Sequence, residues 1–310
     1  MNLQKRKCPI ELYDTKGNTA PYSIIAGKDK NLWFTDNATD KIVKLSPGGS
    51  LSEYVVPEPG CGISIITAAQ NGAWFTEYHA HKIGFIDFYG KITEFPLGGN
   101  FSPYGITVDN EQIVWFTCMT SNQICKMHGD EIAYFDLPTL ACYPSFITFG
   151  YDGALWFSEN QGNKIGRITK QGEITEYALP LPGSAPVGIA SAKDAVWFTE
   201  IMGNRIGRID YAGEIIEHEL PTMNAKPHAL AISKNGAIAF TEWGANKIGL
   251  IKPDSTIIEY DIPAPHSEPH GLVFDEQGSL WFTLESGAIG KILPESEEIQ
   301  NYWIKCLDIP

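Results

Sequence analysis

The chain has 310 residues, with 23 Lys and Arg against 37 Asp and Glu, a formal net charge of −14 and an apolar share of 43%. That apolar share fills a substantial core, which excludes a disordered chain, and the length allows one large domain or two ordinary ones. The acidic balance, with no basic cluster, excludes partners bound through phosphates, so neither nucleic acid nor an anionic membrane surface is expected.

At the start of the chain, Met1 to Lys7 leads into Cys8-Pro9-Ile10-Glu11 without an apolar stretch or a small-residue cleavage site, so no export leader is expected. No window is long and apolar enough to span a bilayer, and a cytoplasmic protein is expected. Cys8, Cys61, Cys118, Cys125, Cys142 and Cys306 form no C-x-x-C pair and have no His at zinc spacing. They are expected as free thiols in a reducing compartment.

From there the chain repeats. Trp-Phe falls at Trp33, Trp74, Trp115, Trp156, Trp197 and Trp281, with Ala239-Phe240 in the one gap, at spacings of 41 or 42 residues. About eight residues later comes a second signature, as in Lys164-Ile165-Gly166-Arg167 and Lys247-Ile248-Gly249-Leu250. Each unit holds four short β-rich segments divided by Gly, Asn, Asp or Pro, for example Val187 to Ser191, Ala195 to Glu200, Asn204 to Ile209 and Ile215 to Leu220. Helical periodicity is absent. Four strands in each of seven repeats predict an all-β fold, a seven-bladed β-propeller of four-stranded antiparallel blades forming a single domain over 1–310. A closed ring predicts a monomer.

Outer-strand segments number eight for seven blades. Ile10 to Tyr13 before the first repeat and Ile299 to Ile304 after the last both fit. The N-terminal segment is expected to complete the seventh blade, leaving about 295–310 as an extra strand or tail.

Repetition about an axis places equivalent positions on rings. A Pro stands eleven or twelve residues before the Trp position at Pro21, Pro103, Pro144, Pro186, Pro227 and Pro269, with Gly62 aligned to it in the second repeat. The residue after it opens the inner strand at one mouth of the channel, and that ring reads Tyr22, Ile63, Tyr104, Ser145, Val187, His228, His270. The ring before the Pro reads Ala20, Cys61, Ser102, Tyr143, Ala185, Lys226, Glu268, with one carboxylate, next to His270. Three residues past the Trp come Asp36, Glu77, Cys118, Glu159, Glu200, Glu242 and then Leu284. In the seventh repeat the acid, Glu285, comes one residue late before a shortened loop, which suggests that it is re-aimed.

Glu268, His270, Glu285 and His228, with Tyr22 alongside because the ring closes, are thus expected at one mouth. Two carboxylates without a thiolate suit a hard cation such as Mg²⁺, with an imidazole free to act as base. The alternative is that each His is a satisfied structural residue. Glu77, Glu159, Glu200 and Glu242 recur in most blades and are expected to cap turns or to pair with the following Lys or Arg. His79, His81, His128, His218 and His266 are expected to be solvated. No G-x-S-x-G elbow is present, which disfavours a serine hydrolase.

The Trp-Phe-Thr-Glu repeats, the Lys226-Pro227-His228 and Glu268-Pro269-His270-Gly271 pair, and Trp281-Phe282-Thr283-Leu284-Glu285 resemble the streptogramin B lyases, also called virginiamycin B lyases, over nearly the whole chain. Ser23 after Tyr22, Ala239 in a Trp slot and the C-terminal extension depart from the family pattern. The resemblance implies a Mg²⁺-dependent enzyme that linearises cyclic depsipeptide antibiotics such as quinupristin and virginiamycin S by elimination at the ester. It also implies roles: Glu268 and Glu285 as metal-site acids, His270 as general base, and His228 and Tyr22 at the substrate mouth. Tyr104, Tyr143 and Val187 are candidates for an apolar rim. A metal-dependent lactone hydrolase and a non-catalytic binding propeller remain open as alternatives.

Overall fold

The computed structural model describes residues 9–293 except 235, 253 and 254, and so does not bear on the segment 295–310. Its strands, β1 to β28 in chain order, form seven four-stranded sheets in which sequence neighbours pair antiparallel. The exception is the last sheet, of order β1 (Ile10–Asp14), β28 (Ala288–Ile292), β27 (Leu280–Leu284) and β26 (Pro269–Phe274), where β1 pairs with β28 from Ile10 opposite Ile292 to Asp14 opposite Ala288. The inner strands are β2 (Pro21–Ala26), β6 (Ile63–Ala68), β10 (Pro103–Val108), β14 (Pro144–Phe149), β18 (Pro186–Ser191), β22 (Pro227–Ile232) and β26 (Pro269–Phe274). They contact one another around the axis, and β2 lies against both β6 and β26, which closes the ring. The architecture is a seven-bladed β-propeller. Among the described residues no helix is long and apolar enough to cross a membrane.

The Trp-Phe-Thr motif is explained by what its three side chains meet. Both faces of every second strand are covered by neighbouring blades, so consecutive large apolar residues are tolerated on opposite faces. Phe34, Phe75, Phe116, Phe157, Phe198, Phe240 and Phe282 are all fully buried. Glycine in the Lys-Ile-Gly signature makes room for them: a Cβ on Gly166 or Gly290 comes within 2.1 Å of the Phe157 or Phe282 ring. Several of the indoles donate from Nε1 to an aspartate in the preceding turn, as Trp115 does to Asp109 at 3.2 Å and Trp281 to Asp275 at 2.7 Å.

The third residue ties each blade to the next. Thr35, Thr76, Thr117, Ser158, Thr199, Thr241 and Thr283 donate to the carbonyls of Ser64, Tyr104, Ser145, Val187, His228, His270 and Tyr22, over 2.5–2.9 Å. Buried hydroxyls with this role fix the backbone of whatever residue opens the next inner strand. His228 and His270 are therefore pinned by blades five and six.

The recurring acids do something other than expected. Only Asp36 caps its turn, accepting from the amides of Ala20 and Ala38 and from the Thr39 hydroxyl. Glu77, Glu159, Glu200 and Glu242 are fully buried and their oxygens meet no hydrogen-bond donor. The Lys or Arg of the following strand reaches past them to the outer strand, in the pairs Lys82–Glu94, Lys164–Glu176, Arg205–Glu217 and Lys247–Glu259. Burial, chiefly, raises the four carboxyls to about 8, 8, 7 and 8, so at pH 7 Glu77, Glu159 and Glu242 are largely neutral and Glu200 about half so. A carboxyl raised in the folded state binds its proton where the unfolded chain has lost it. Its stability contribution is complete below about pH 4.5 and declines as pH rises to about 8. Glu159→Gln is accordingly expected to raise the Tm at pH 8 by about 2–4 °C and to leave it nearly unchanged at pH 5, by differential scanning calorimetry. Equal shifts at both pH values contradict this.

Candidate active site

Each inner strand begins at one channel mouth with a Pro, or with Ile63 in blade two, and the register with the second strand shifts between that residue and the third after it. Such a bulge turns the intervening side chain toward the axis. Ile63 pairs with Glu77 as Pro103 pairs with Cys118 and Pro269 with Leu284, so Ile63, and not Gly62, takes the Pro position. The mouth ring in blade two is Ser64 in place of Ile63, and the ring before the Pro holds Gly62 in place of Cys61. Gly62 has a φ of 65°, matching 52° at Tyr143, 51° at Ala185, 48° at Lys226 and 51° at Glu268. The left-handed backbone at Glu268 is therefore a property of the repeat and is not strain peculiar to this blade.

Glu285 also needs correction. The buried-acid slot in blade seven is filled by Leu284, opposite Pro269, with no slip of register. The Glu285 amide donates to the Glu268 carbonyl at 3.2 Å, as the Trp243 amide does to Lys226 at 3.2 Å. Glu285 thus belongs to the next ring, which reads Asn37, Tyr78, Met119, Asn160, Ile201, Trp243, Glu285. It is no displaced structural acid but the sole carboxylate of a ring that faces the mouth, and the shortened loop follows it.

These placements bring the expected residues together. His270 Nε2 lies 3.2 Å from Glu285 Oε1. The His270 ring is 4.4 Å from Tyr22 and 4.5 Å, at 80°, from His228. Gly271 lets blade one close against it, since a Cβ there meets the Tyr22 carbonyl at 2.7 Å. Ser23, where the family pattern has Gly, fits because its hydroxyl accepts from the Ile66 amide of blade two. The Tyr22 and Tyr104 hydroxyls are 2.6 Å apart, and Phe146 packs against both Tyr104 and His228.

Electrostatics separate the groups. The hydrogen bond from His270 holds Glu285 below the usual carboxylate range, against the opposing effect of burial. The same Glu285, acting chiefly through a side-chain hydrogen bond, raises Glu268 above the usual carboxylate range. Because ionised Glu285 only accepts, Nε2 of His270 carries the ring proton and the lone pair is on Nδ1. Nδ1 of both His270 and His228 is covered and meets no partner. Burial first, and His270 second, hold His228 well below its ordinary value, so it stays neutral at physiological pH.

Among the described residues, no three His, Cys, Asp or Glu side chains gather as a metal site. The donor set for a hard cation is limited to Glu268 and Glu285, whose close approach requires a proton or a cation between them. Two carboxylates suffice for Mg²⁺, which keeps several waters of its own, so the residues fit that ion.

Beside the cluster a cavity of about 530 Å³ spreads over blades one to three, lined by Tyr22, Tyr104, Tyr78, His79, Asn37 and Met119 among others. Tyr78, His79 and Trp243, which stands 6.4 Å from His270, were not among the expected site residues. Tyr78 and Trp243 occupy the Glu285 slot in their own blades. Val187 is buried and leaves Tyr104 and the exposed Tyr143 from the expected rim. Of the histidines expected to be solvated, His79 is exposed but lines the cavity, His81 bonds to the Phe101 carbonyl, and His218 stacks on Trp197 at 5.7 Å. Cys61, Cys118, Cys125 and Cys142 are free and buried, and Cys8 and Cys306 lie outside the described residues.

A closed seven-bladed propeller with a His–Glu pair and a second carboxylate at one mouth defines the class of protein. Residues 9–292 match the model of the virginiamycin B lyase family, and the chain belongs to that family. It is similar to the virginiamycin B lyase of Nocardia farcinica (strain IFM 10152), at 34% identity over 186 residues; the match covers 60% of this chain and 63% of that relative's length. The selenomethionine-substituted virginiamycin B lyase from Staphylococcus aureus is 43% identical, with a TM-score of 0.88 over 91% of this chain and 98% of that one. Its catalytically inactive H270A form with quinupristin is 43% identical, with a TM-score of 0.87 over the same shares, 91% and 98%.

Proposed function

We propose that the protein linearises cyclic streptogramin B-type depsipeptides such as quinupristin by elimination at the ester bond, assisted by Mg²⁺ held by Glu268 and Glu285. The observation that carries this reading is the His270–Glu285 hydrogen bond at the mouth beside Glu268, in a member of this family.

The ester oxygen of such a ring sits on a carbon β to an acidic Cα–H. When bound, the cation supplies Lewis acidity that polarises the carbonyl next to that Cα. His270 accepts the Cα proton on its imidazole. The imidazolium that results is stabilised by Glu285, because the hydrogen bond from Nε2–H becomes charge-assisted at the moment the proton arrives. His228 and Tyr22 flank His270 and hold the ring against it. The aromatic surroundings, Tyr22, Tyr104 and Phe146, limit water at the reacting carbon, which favours elimination over hydrolysis.

Quinupristin incubated with the protein is expected to give a linear product by liquid chromatography. EDTA is expected to stop the reaction and added Mg²⁺ to restore it. An intact ring under all conditions contradicts the reading, and turnover that survives complete chelation removes the cation from it.

A further inference from the structure

We propose that the paired hydroxyls of Tyr22 and Tyr104 form the hydrogen-bond donor that receives the carboxylate leaving group, which makes Tyr104 a catalytic residue. This rests on the elimination reading above and identifies what handles its departing group.

Two phenols 2.6 Å apart own two protons, and the bond between them uses one. One O–H is left to donate outward. Both side chains line the 530 Å³ cavity, so the pair stands at its wall. The Tyr22 ring lies 4.4 Å from His270, which places the pair beside the base. Neither phenol gives up its proton easily: burial, with the neighbouring tyrosine and Glu285, holds Tyr22 well above its ordinary range, and burial raises Tyr104 to about 12. At neutral pH the pair is a donor throughout.

The chemistry requires such a group. His270 takes the Cα proton, the electron pair left on Cα becomes the second bond to Cβ, and the Cβ–O bond breaks with its pair passing to the carboxylate oxygen. Atoms and charge balance with no co-reactant. The new carboxylate is an acceptor only, released among Tyr22, Tyr104 and Phe146. Glu285 cannot serve it, since it is ionised and accepts from His270 Nε2. A fixed O–H aimed at charge that develops in the transition state acts on kcat more than on substrate binding. Tyr104 stands in blade three and Tyr22 in blade one, so the donor is assembled across blade two.

Tyr104→Phe, assayed with quinupristin, is expected to lower kcat by about 10–100-fold with KM changed less than about threefold and Tm nearly unchanged. Incorporation of 3-fluorotyrosine at position 104 retains a hydroxyl of greater acidity. It is expected to keep kcat near that of the parent and to move the alkaline limb of the kcat profile to lower pH. This second variant preserves the packing, so it reads the role even if the phenylalanine variant folds poorly. An unchanged kcat in Tyr104→Phe, or a pH profile of the fluorinated protein that superimposes on the parent's, overturns the inference while leaving the lyase reading intact. A parent protein that fails to open quinupristin, or opens it to a product one water heavier, overturns both.

Discussion

Alanine at position 270 is expected to reduce opening of the quinupristin ring by about 10²–10⁴-fold, the range spanned by loss of a positioned general base. No neighbouring group can take over. His228 is held neutral by burial, and among the described residues no carboxylate pairs with it to stabilise an imidazolium. The fold is expected to survive, because the hydrogen bond from Thr241 is to the backbone carbonyl of residue 270 and remains. Steady-state kinetics with a Tm measurement separates the readings. A binding propeller keeps its biological effect in His270→Ala, whereas loss of turnover with Tm within a few degrees supports the base.

Glu285→Gln is expected to be nearly as damaging, and more so than Glu268→Gln. Glu285 has two tasks in this account, to accept from His270 Nε2 and to hold the cation, and the amide does neither well. Glu268 has only the second. The expected order of kcat/KM for ring opening is parent, then Glu268→Gln, then Glu285→Gln, with the last about 10²-fold or more below the parent. The pH dependence follows with its sign. Glu285 is held below its unfolded value of about 4.5, so its pairing with His270 is complete above that pH and is lost as pH falls through the lowered value. Equal losses in the two variants contradict the division of roles.

Much of this was legible before any coordinates. The Trp-Phe spacing encodes seven blades because every blade buries both faces against its neighbours, so each copy must solve the same packing problem with the same residues. Counting from the Pro to the inner strand located His228 and His270, since that count is set by strand length and a bulge common to all blades. It failed in blade two, where Ile63 takes the Pro position and Gly62, one residue earlier, imitates it. Glu285 was found for an incomplete reason: a shortened loop drew attention to a residue that owes its place to an undisturbed ring slot. The buried state of Glu77, Glu159, Glu200 and Glu242 was not readable, because whether Lys82 or Lys164 reaches an acid on its own strand pair or on the outer strand depends on side-chain geometry. Tyr78 and His79 were not legible because they follow the second strand in a loop, where no motif marks them.

The central claim is that the ring opens by loss of a Cα proton to His270 with no water entering the product. Turnover of quinupristin in ¹⁸O-labelled water, followed by mass spectrometry of the linear product, addresses it most directly. The account predicts a product of the same mass as the intact ring and free of label. A product one water heavier and carrying ¹⁸O contradicts it.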